Sequence, residues 1–227
     1  MSGFVSKIAD DIENDGAAVT QYLEYEPPEV NMTELLRYSG FPLIRAKAIA
    51  DGTDDAPDVL ETAEKAAKLV EGKLSFKVGY KIVTVKRDEE GFLILPFQQH
   101  SEKLKMNMKD CGKAVLFAAT IGSGIDMFIR RYERTDTKMA LYMQACGAER
   151  AEALCNKFNS DVKEAARLSG YKAHPRYSPG FGDLPITVQE EFLNLLDAGR
   201  RMGITLGESF LMAPSKSVTA IIGLERL

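Results

Sequence analysis

The sequence predicts an α+β fold in which a mixed or antiparallel sheet is flanked by helices. The chain has 227 residues, of which 45% are hydrophobic and 27% charged, as in one ordinary globular domain. Helix-like and strand-like segments follow one another in mixed order, without an internal repeat. A doubly wound parallel sheet would instead show regular alternation of strands and helices.

The N-terminal part is predicted to be mainly helical. Pro27-Pro28 prevents a helix from continuing, because proline lacks the backbone N–H, and Asn31 and Glu34 have the spacing of a capping box. Pro57 suits a first helical turn, and Gly72 suits a helix end. The predicted elements are a helical lead-in over residues 1–25 with a break at Asp15-Gly16, a short helix over 31–40, a loop over 40–56 and a helix over 57–72.

The middle of the chain alternates between strand and helix patterns. Apolar residues alternate on both sides of a charged turn at 87–91, which is typical of a β-hairpin. The run AVLFAAT has the length and composition of a buried strand. The predicted elements are a hairpin over residues 74–95, a helix over 101–110, a strand over 114–120 and a long proline-free helix over 137–168.

The C-terminal part begins with a loop whose prolines and glycines allow no regular period. Thr187 and Glu190 have the spacing of a capping box, and Gly203 is a suitable helix stop. The predicted elements are a loop over residues 170–185, a helix over 186–202 and a terminal pair of strands over 204–212 and 217–224.

The composition excludes several classes of function. With 33 acidic and 29 basic residues, the net charge is −4, so no nucleic-acid partner is expected. No segment approaches the roughly 18 apolar residues of a membrane span, and the acidic N-terminus argues against a signal peptide. We therefore expect a cytoplasmic protein without a membrane partner. The three cysteines and two histidines lack the spacing of a metal site.

The segment 175–185 is the strongest candidate for ligand binding. Its prolines and glycines can present backbone groups to a ligand, and the guanidinium of Arg176 pairs bidentately with a carboxylate or phosphate. A loop that only packs against the core is an equal alternative. Gly122-Ser123-Gly124 lacks the third glycine of a dinucleotide-binding loop, because Met127 stands there, and we interpret it as a strand-to-helix turn.

Two motifs resemble a known family. The stretch RYSPGFGDLP begins at Arg176 and, one helix later, ESFLMAPSKSV begins at Glu208. In order and spacing, both resemble the activation (reactivation) domain of cobalamin-dependent methionine synthase. The resemblance covers about residues 90–224. We therefore interpret residues 86–227 as a core similar to that domain, and residues 1–85 as a divergent region that contains a helical lead-in and the start of the sheet, in one compact unit.

The resemblance implies a function and a binding site. Such domains bind S-adenosylmethionine and present its methyl group to cobalamin that has been oxidised to cob(II)alamin, while a flavodoxin- or ferredoxin-type donor supplies one electron. By resemblance, Arg176 would hold the methionine carboxylate and Glu152 would accept hydrogen bonds from the ligand. Ser178 and Gly180 would contribute backbone around it, and Phe181 would lie against it. No catalytic residue and no metal ligand is implied, because the chemistry depends on orientation.

The resemblance also implies a partner. A length of 227 residues leaves no room for modules that bind homocysteine, folate or cobalamin. We therefore expect the protein to act in trans on a cobalamin-binding methionine synthase or another corrinoid protein.

Departures from the family pattern leave alternatives open. Phe181 replaces a tyrosine, Ala213 stands where the synthases tend to have tryptophan, and the chain stops at Leu227 before an aromatic segment. One alternative is a docking or assembly module for corrinoid proteins that has lost ligand binding, and another is an unrelated small-molecule enzyme that uses the same loop. For Glu208 and Ser209, we expect strand packing, and ligand contact is the alternative. For Glu152, a plain surface position on the helix is the alternative.

Overall fold

The structure is a computed structural model that describes residues 3–14, 19–97 and 100–227. The helices, in chain order, are α1 (Gly3–Glu13), α2 (Met32–Tyr38), α3 (Leu43–Ala50), α4 (Pro57–Val70), α5 (Glu102–Asn107), α6 (Gly124–Glu133), α7 (Thr137–Leu168), α8 (Gln189–Leu195) and α9 (Ala198–Met202). The strands are β1 (Gln21–Tyr25), β2 (Phe76–Thr84), β3 (Lys86–Arg87), β4 (Leu93–Ile94), β5 (Cys111–Thr120), β6 (Tyr171–Ala173), β7 (Thr205–Leu206), β8 (Met212–Ala213) and β9 (Ser217–Arg226). The predicted break at Asp15-Gly16 lies outside the described residues.

An antiparallel sheet organises the molecule. Its strand order is β1-β2-β5-β9-β6, and every neighbouring pair is antiparallel. The register places Tyr80 of β2 opposite Phe117 of β5, and Phe117 opposite Ala220 of β9. The central strand β5 is buried along most of its length, which explains its unbroken apolar sequence. The predicted α+β class is confirmed, and the sheet is antiparallel.

The two faces of the sheet carry separate apolar cores. Because side chains alternate along a strand, Phe117 of β5 faces one core, which contains residues of α1–α4, α6 and α7. Leu116 and Ala118 face the other core, which contains residues of α5, α8, α9 and the β3–β4 hairpin. Phe158 of α7 packs against the rings of Phe117 and Tyr80, with ring centroids 4.9 and 5.6 Å apart. The long helix α7 is thereby fixed across the first face.

The N-terminal helices cover the same face as α7. The helices predicted over residues 31–40 and 57–72 are confirmed as α2 and α4. The Asn31 side chain caps α2 by accepting the Glu34 N–H at 3.1 Å. The loop predicted over 40–56 is wrong in part, because α3 forms there and buries Ala46 and Ile49. Two buried positions form too short a periodic pattern to distinguish a helix from a loop.

Two predicted strand pairings are wrong. The segment 74–95 is not one hairpin, because β2 pairs with β1 and β5, and only the short strands β3 and β4 pair with each other. The terminal strands are not partners either, because β7 pairs with β8, and β9 pairs with β5 and β6. Pairing is decided by which apolar faces can share a core, so proximity along the chain misled both predictions.

The predicted helices differ in how well they match the structure. The long helix predicted over residues 137–168 is confirmed as α7, and Asp136 caps it by accepting the Met139 N–H at 2.9 Å. The helix predicted over 186–202 is wrong as one element, because a 3₁₀ turn, α8 and α9 occupy it, with Asp197 in a left-handed conformation at φ 47°. The predicted capping box at Thr187 and Glu190 is also wrong, since α8 begins without a side-chain cap.

Within the described ranges, no helix combines the length and the apolar character needed to cross a membrane. The same ranges contain no group of three His, Cys, Asp or Glu side chains that could hold a metal ion. All three cysteines are free and buried. Burial raises the pKa of the Cys146 and Cys155 thiols to about 12, so neither is a thiolate nucleophile at neutral pH.

Candidate functional site

The candidate site lies where the loop that follows β6 passes the middle of α7. Tyr177 forms an antiparallel bridge with Ile221 of β9, with N–H to O distances of 2.8 Å in both directions. The loop is therefore extended at this point, and consecutive side chains point to opposite faces. Tyr177 packs into the core of α5 and α8, whereas Arg176 points to α7.

Arg176 binds two side chains of α7. Its Nη2 donates to Glu152 Oε2, and its Nη1 donates to Asn156 Oδ1 at 3.1 Å. Glu152 and Asn156 are four residues apart, so both lie on the helix face next to the loop. The Arg176 side chain is 24% exposed and the Glu152 side chain 38% exposed. The structure thus brings two predicted site residues into one pair that solvent can reach.

A cavity of about 450 Å³ adjoins this pair, between α2 and α7. Tyr38 of α2 lines it on one side, and Glu152 and Asn156 of α7 line it on the other. Burial, followed by the charge of Glu152, raises the pKa of the Tyr38 hydroxyl. Tyr38 therefore stays neutral at physiological pH and offers the cavity a group that can donate or accept a hydrogen bond.

Hydrogen bonds within the loop fix the backbone at the other predicted site residues, Ser178, Gly180 and Phe181. The Phe181 N–H donates to the Ser178 carbonyl at 3.1 Å, and the Gly180 N–H donates to the Leu184 carbonyl at 2.9 Å. Gly180 has a φ of 83°, which residues with a side chain rarely adopt. The amides of Gly180 and Phe181 are thus used inside the loop.

The aromatic ring of Phe181 lies at the surface of this loop. Its side chain is 66% exposed, and its ring meets the Tyr177 ring edge-on, with centroids 5.5 Å apart. The Tyr177 hydroxyl donates to the Phe181 carbonyl at 3.2 Å. A Cβ on Gly182 would lie 2.4 Å from that hydroxyl oxygen, so only glycine allows this close approach. The backbone at Phe181 is therefore held in place, and its ring is accessible from solvent.

The loop is anchored at both ends of α5. The Asp183 carboxylate accepts the Ser101 hydroxyl and the Glu102 N–H, the latter at 2.8 Å. The Ser101 hydrogen bond, with backbone N–H groups, lowers the pKa of Asp183. At the other end, His174 Nδ1 lies 2.7 Å from the Asn107 carbonyl oxygen. The residues between His174 and Asp183 are therefore held on a rigid support.

A buried ion pair fixes the opposite wall. Arg150 Nη2 donates to Glu149 Oε1 at 2.6 Å, and the two side chains are only 5% and 2% exposed. Arg150 also donates to the carbonyls of Pro28 and Glu29, and Glu149 accepts the Asn31 N–H at 3.0 Å. This segment from Pro28 to Asn31, called the strap below, is thereby attached to α7 and positions the start of α2.

Comparison with known proteins assigns the family. The family model described as the activation domain of vitamin B12 dependent methionine synthase matches residues 102–225, more than half of the chain. The chain belongs to this family. Among solved structures, the crystal structure of the MetH reactivation domain bound to AdoHcy is similar, with a TM-score of 0.68 and 15% sequence identity over 90% of this chain and 78% of that one. At this identity the similarity shows the fold alone. Curated proteins give no match.

The second activation-domain motif begins in the turn between β7 and β8. Glu208 and Ser209 are exposed in the turn between β7 and β8, so the expectation that they serve strand packing is wrong. The Gln189 amide of α8 donates to the Phe210 carbonyl at 2.9 Å and holds this turn. Ala213 pairs with Thr205 in β8 and β7. The motif thus forms a small hairpin, and its end leads into β9.

Several residues around the candidate site were missed by sequence reasoning. Asn156 follows Glu152 by one helical turn, so it was detectable once Glu152 was chosen. Glu149 and Arg150 are adjacent charges in a run of small residues that the helix buries, which is itself a signal of a paired buried charge. For Tyr38, more than a hundred positions before Glu152, no sequence signal exists.

Proposed function

We propose that this protein binds S-adenosylmethionine at the Arg176–Glu152 pair. The observation that carries the proposal is the pair itself: a guanidinium and a carboxylate lie side by side and partly exposed. Their opposite charges match the zwitterionic head of an amino acid, so the ligand carboxylate pairs with Arg176 and the ligand ammonium with Glu152. The contacts to Glu152 and Asn156 use two N–H groups of the guanidinium, which has five. Donors therefore remain for a ligand carboxylate.

The loop and α2 supply the other contacts. The open face of the Phe181 ring packs against the apolar part of the ligand, and the backbone of Ser178 and Gly180 surrounds it. The neutral Tyr38 hydroxyl gives a hydrogen bond from the opposite wall. Because Phe181 has no hydroxyl, it contributes stacking without a hydrogen bond.

The reaction served is the remethylation of cob(II)alamin that is carried by a partner, either a cobalamin-binding methionine synthase or another corrinoid protein. A flavodoxin- or ferredoxin-type donor gives one electron. The carbon–sulfur bond of the sulfonium breaks, a cobalt–carbon bond forms, and S-adenosylhomocysteine leaves. The residues of this chain only bind and orient the methyl donor, so no acid, base or nucleophile is required. We place the reaction in the cytoplasm, without a nucleic acid or a membrane as partner.

A second candidate function is docking on a corrinoid protein without ligand binding. It is favoured by one observation: Arg176 already has two partners, Glu152 and Asn156. In this case the pair would serve to fix the loop to α7, and the fold would be retained for its surface.

Calorimetric titration with S-adenosylmethionine distinguishes the two. We expect the parent protein to bind and the Arg176→Ala variant to bind about tenfold or more weakly, as for the loss of a charge-assisted pair. The matched control is Arg45→Ala, because Arg45 also pairs with one carboxylate, Asp54, at 3.2 Å, but Asp54 does not line the cavity, whereas Glu152 does. It should bind like the parent. Absence of binding by the parent at millimolar ligand would refute the first function and support the docking module.

A further inference from the structure

A basic stripe runs along the exposed face of α6. Met127, Arg130 and Arg131 of α6 and its C-cap residue Arg134 are spaced i, i+3, i+4 and i+7, so they lie on one side of the helix, whereas Ile129 is buried on another side. These four residues, called the α6 stripe below, line an open depression of about 730 Å³. Met127 is 60% exposed. An apolar side chain thus lies among three guanidinium groups at the surface.

The charges of the stripe are not compensated. Within the described part of the chain, none of the three arginines forms an ion pair with a carboxylate. Among other exposed arginines, Arg37 pairs with Glu34 and Arg200 pairs with Asp197. Single arginines without an ion pair also occur among the described residues, at Arg167, Arg201 and Arg226, whereas the stripe brings three together. The stripe also belongs to a chain whose net charge is −4. The positive potential is therefore local to this face of α6.

The stability of the helix explains only part of this arrangement. Cations are favourable near a helix C-terminus, but Arg134 repels Arg130 and Arg131 at spacings of four and three residues. Exposure of Met127 gains nothing for the isolated chain. Arginine and methionine are, however, enriched in protein–protein interfaces, and arginine dominates their binding energy. The composition of the stripe is thus that of an interface.

We propose that the α6 stripe is the docking surface for an acidic protein, whose carboxylates pair with the arginines around an apolar contact at Met127. The identity of this partner rests on the proposed function, in which it is the one-electron donor. The stripe is one short helix face with uncompensated charge, so the interface would be small and its partner would be attracted by electrostatic steering. Weak, transient electron-transfer complexes have interfaces of this kind.

A nucleic acid fits this surface less well. Glu133 lies in the same depression. A second depression is lined by three carboxylates and two lysines, namely Asp58, Glu61, Asp136, Lys65 and Lys138. These carboxylates would repel a phosphate backbone, whereas a protein can place neutral or basic groups opposite them.

The test is a titration of the full chain with a purified, acidic flavodoxin-type protein at low ionic strength. We expect the parent to bind, with affinity that falls as salt is added. Arg130→Glu/Arg134→Glu should bind about tenfold or more weakly. The matched control is Arg200→Glu/Arg201→Glu, because these arginines also lie exposed in the last turn of a helix but have partners in Asp197 and the Tyr22 ring. It should change binding by less than about twofold.

The outcomes separate this inference from the proposed function. Each variant is also titrated with S-adenosylmethionine, which should bind as it does to the parent. Failure of that ligand to bind the parent refutes the proposed function and leaves the docking result intact. The docking proposal is overturned if the parent does not bind the acidic protein, if both double variants lose affinity equally, or if the stripe binds a duplex DNA oligonucleotide more tightly than the protein.

Discussion

The glutamates of two glutamate–arginine pairs, Glu149 and Glu152, lie within one turn of α7, and the two pairs differ in their surroundings. In the Glu149–Arg150 pair the arginine and glutamate side chains are 5% and 2% exposed, and two carbonyls of the strap accept further hydrogen bonds from Arg150. In the Glu152–Arg176 pair, the arginine is 24% and the glutamate 38% exposed. Both glutamates line the cavity between α2 and α7, so the pairs differ in how far solvent reaches them. The same two functional groups thus occupy a closed and an open environment.

The difference shows how burial decides what an ion pair can do. A buried pair is tolerated only if further hydrogen bonds satisfy its atoms, and those of Glu149–Arg150 are satisfied by the strap, which makes the pair a structural clamp. A partly exposed pair contributes little to stability, and its partners can be exchanged for those of a ligand. Glu152–Arg176 therefore has the environment of a binding pair.

Breaking the buried Glu149–Arg150 pair gives the largest expected loss of stability. Arg150→Ala leaves the Glu149 carboxylate buried without its cation and removes the hydrogen bonds to the strap, so we expect the free energy of unfolding to fall by about 3–5 kcal/mol. Urea denaturation measures it. The double variant Glu149→Leu/Arg150→Met should lose less, because it leaves no uncompensated charge. A loss below about 1 kcal/mol for Arg150→Ala would contradict the clamp.

Changing the exposed pair should separate binding from stability. Glu152→Gln keeps the shape of the side chain but removes the charge that pairs with the ligand ammonium. We expect binding of S-adenosylmethionine to weaken by about tenfold, while the free energy of unfolding changes by less than about 1 kcal/mol. Calorimetry and urea denaturation measure the two quantities. The control is Glu164→Gln, at an exposed position further along α7, and equal effects of both variants would contradict the assignment.

A third charge near α7, that of Lys216, sharpens the comparison, because none of the carboxylates that the structure describes lies at ion-pair distance from it. Lys216 packs against Gly147, and burial lowers its pKa, partly opposed by the charge of Asp126. Between this lowered pKa and its ordinary value of 10.5, the unfolded state binds more protons than the folded state, so stability rises with pH there. Below this range both states are charged, and the full destabilisation is present.

We therefore expect Lys216→Met to have a higher free energy of unfolding than the parent at pH 7. The rise of stability with pH that Lys216 causes should be absent from the variant. The measurement is the difference in free energy of unfolding between parent and variant from pH 7 to 10. Burial raises the pKa of Tyr25 and Tyr80 in the folded state, so stability falls at high pH as the unfolded tyrosines ionise, but this effect is common to both proteins and cancels. A difference that is independent of pH would refute the interpretation.

The sequence by itself determined the elements whose signals are local. The cap at Asn31, the span of α7 and the apolar run of β5 follow from side-chain chemistry and periodicity over a few neighbouring residues. The two motifs likewise sufficed to indicate the activation-domain family, which the comparisons confirm. They also indicated Arg176 and Glu152 as site residues, a prediction that ligand titration is still needed to test.

The tertiary structure alone decided which residues meet. Arg176 lies 24 positions from Glu152, and Arg150 lies 122 positions from Pro28, so no local pattern could show that one pair is open and the other closed. The strand partners of β2 and β9 and the helix α3 were likewise decided by packing. The physical reason is that local sequence sets backbone preferences, whereas burial, charge compensation and strand pairing depend on which distant surfaces share a core.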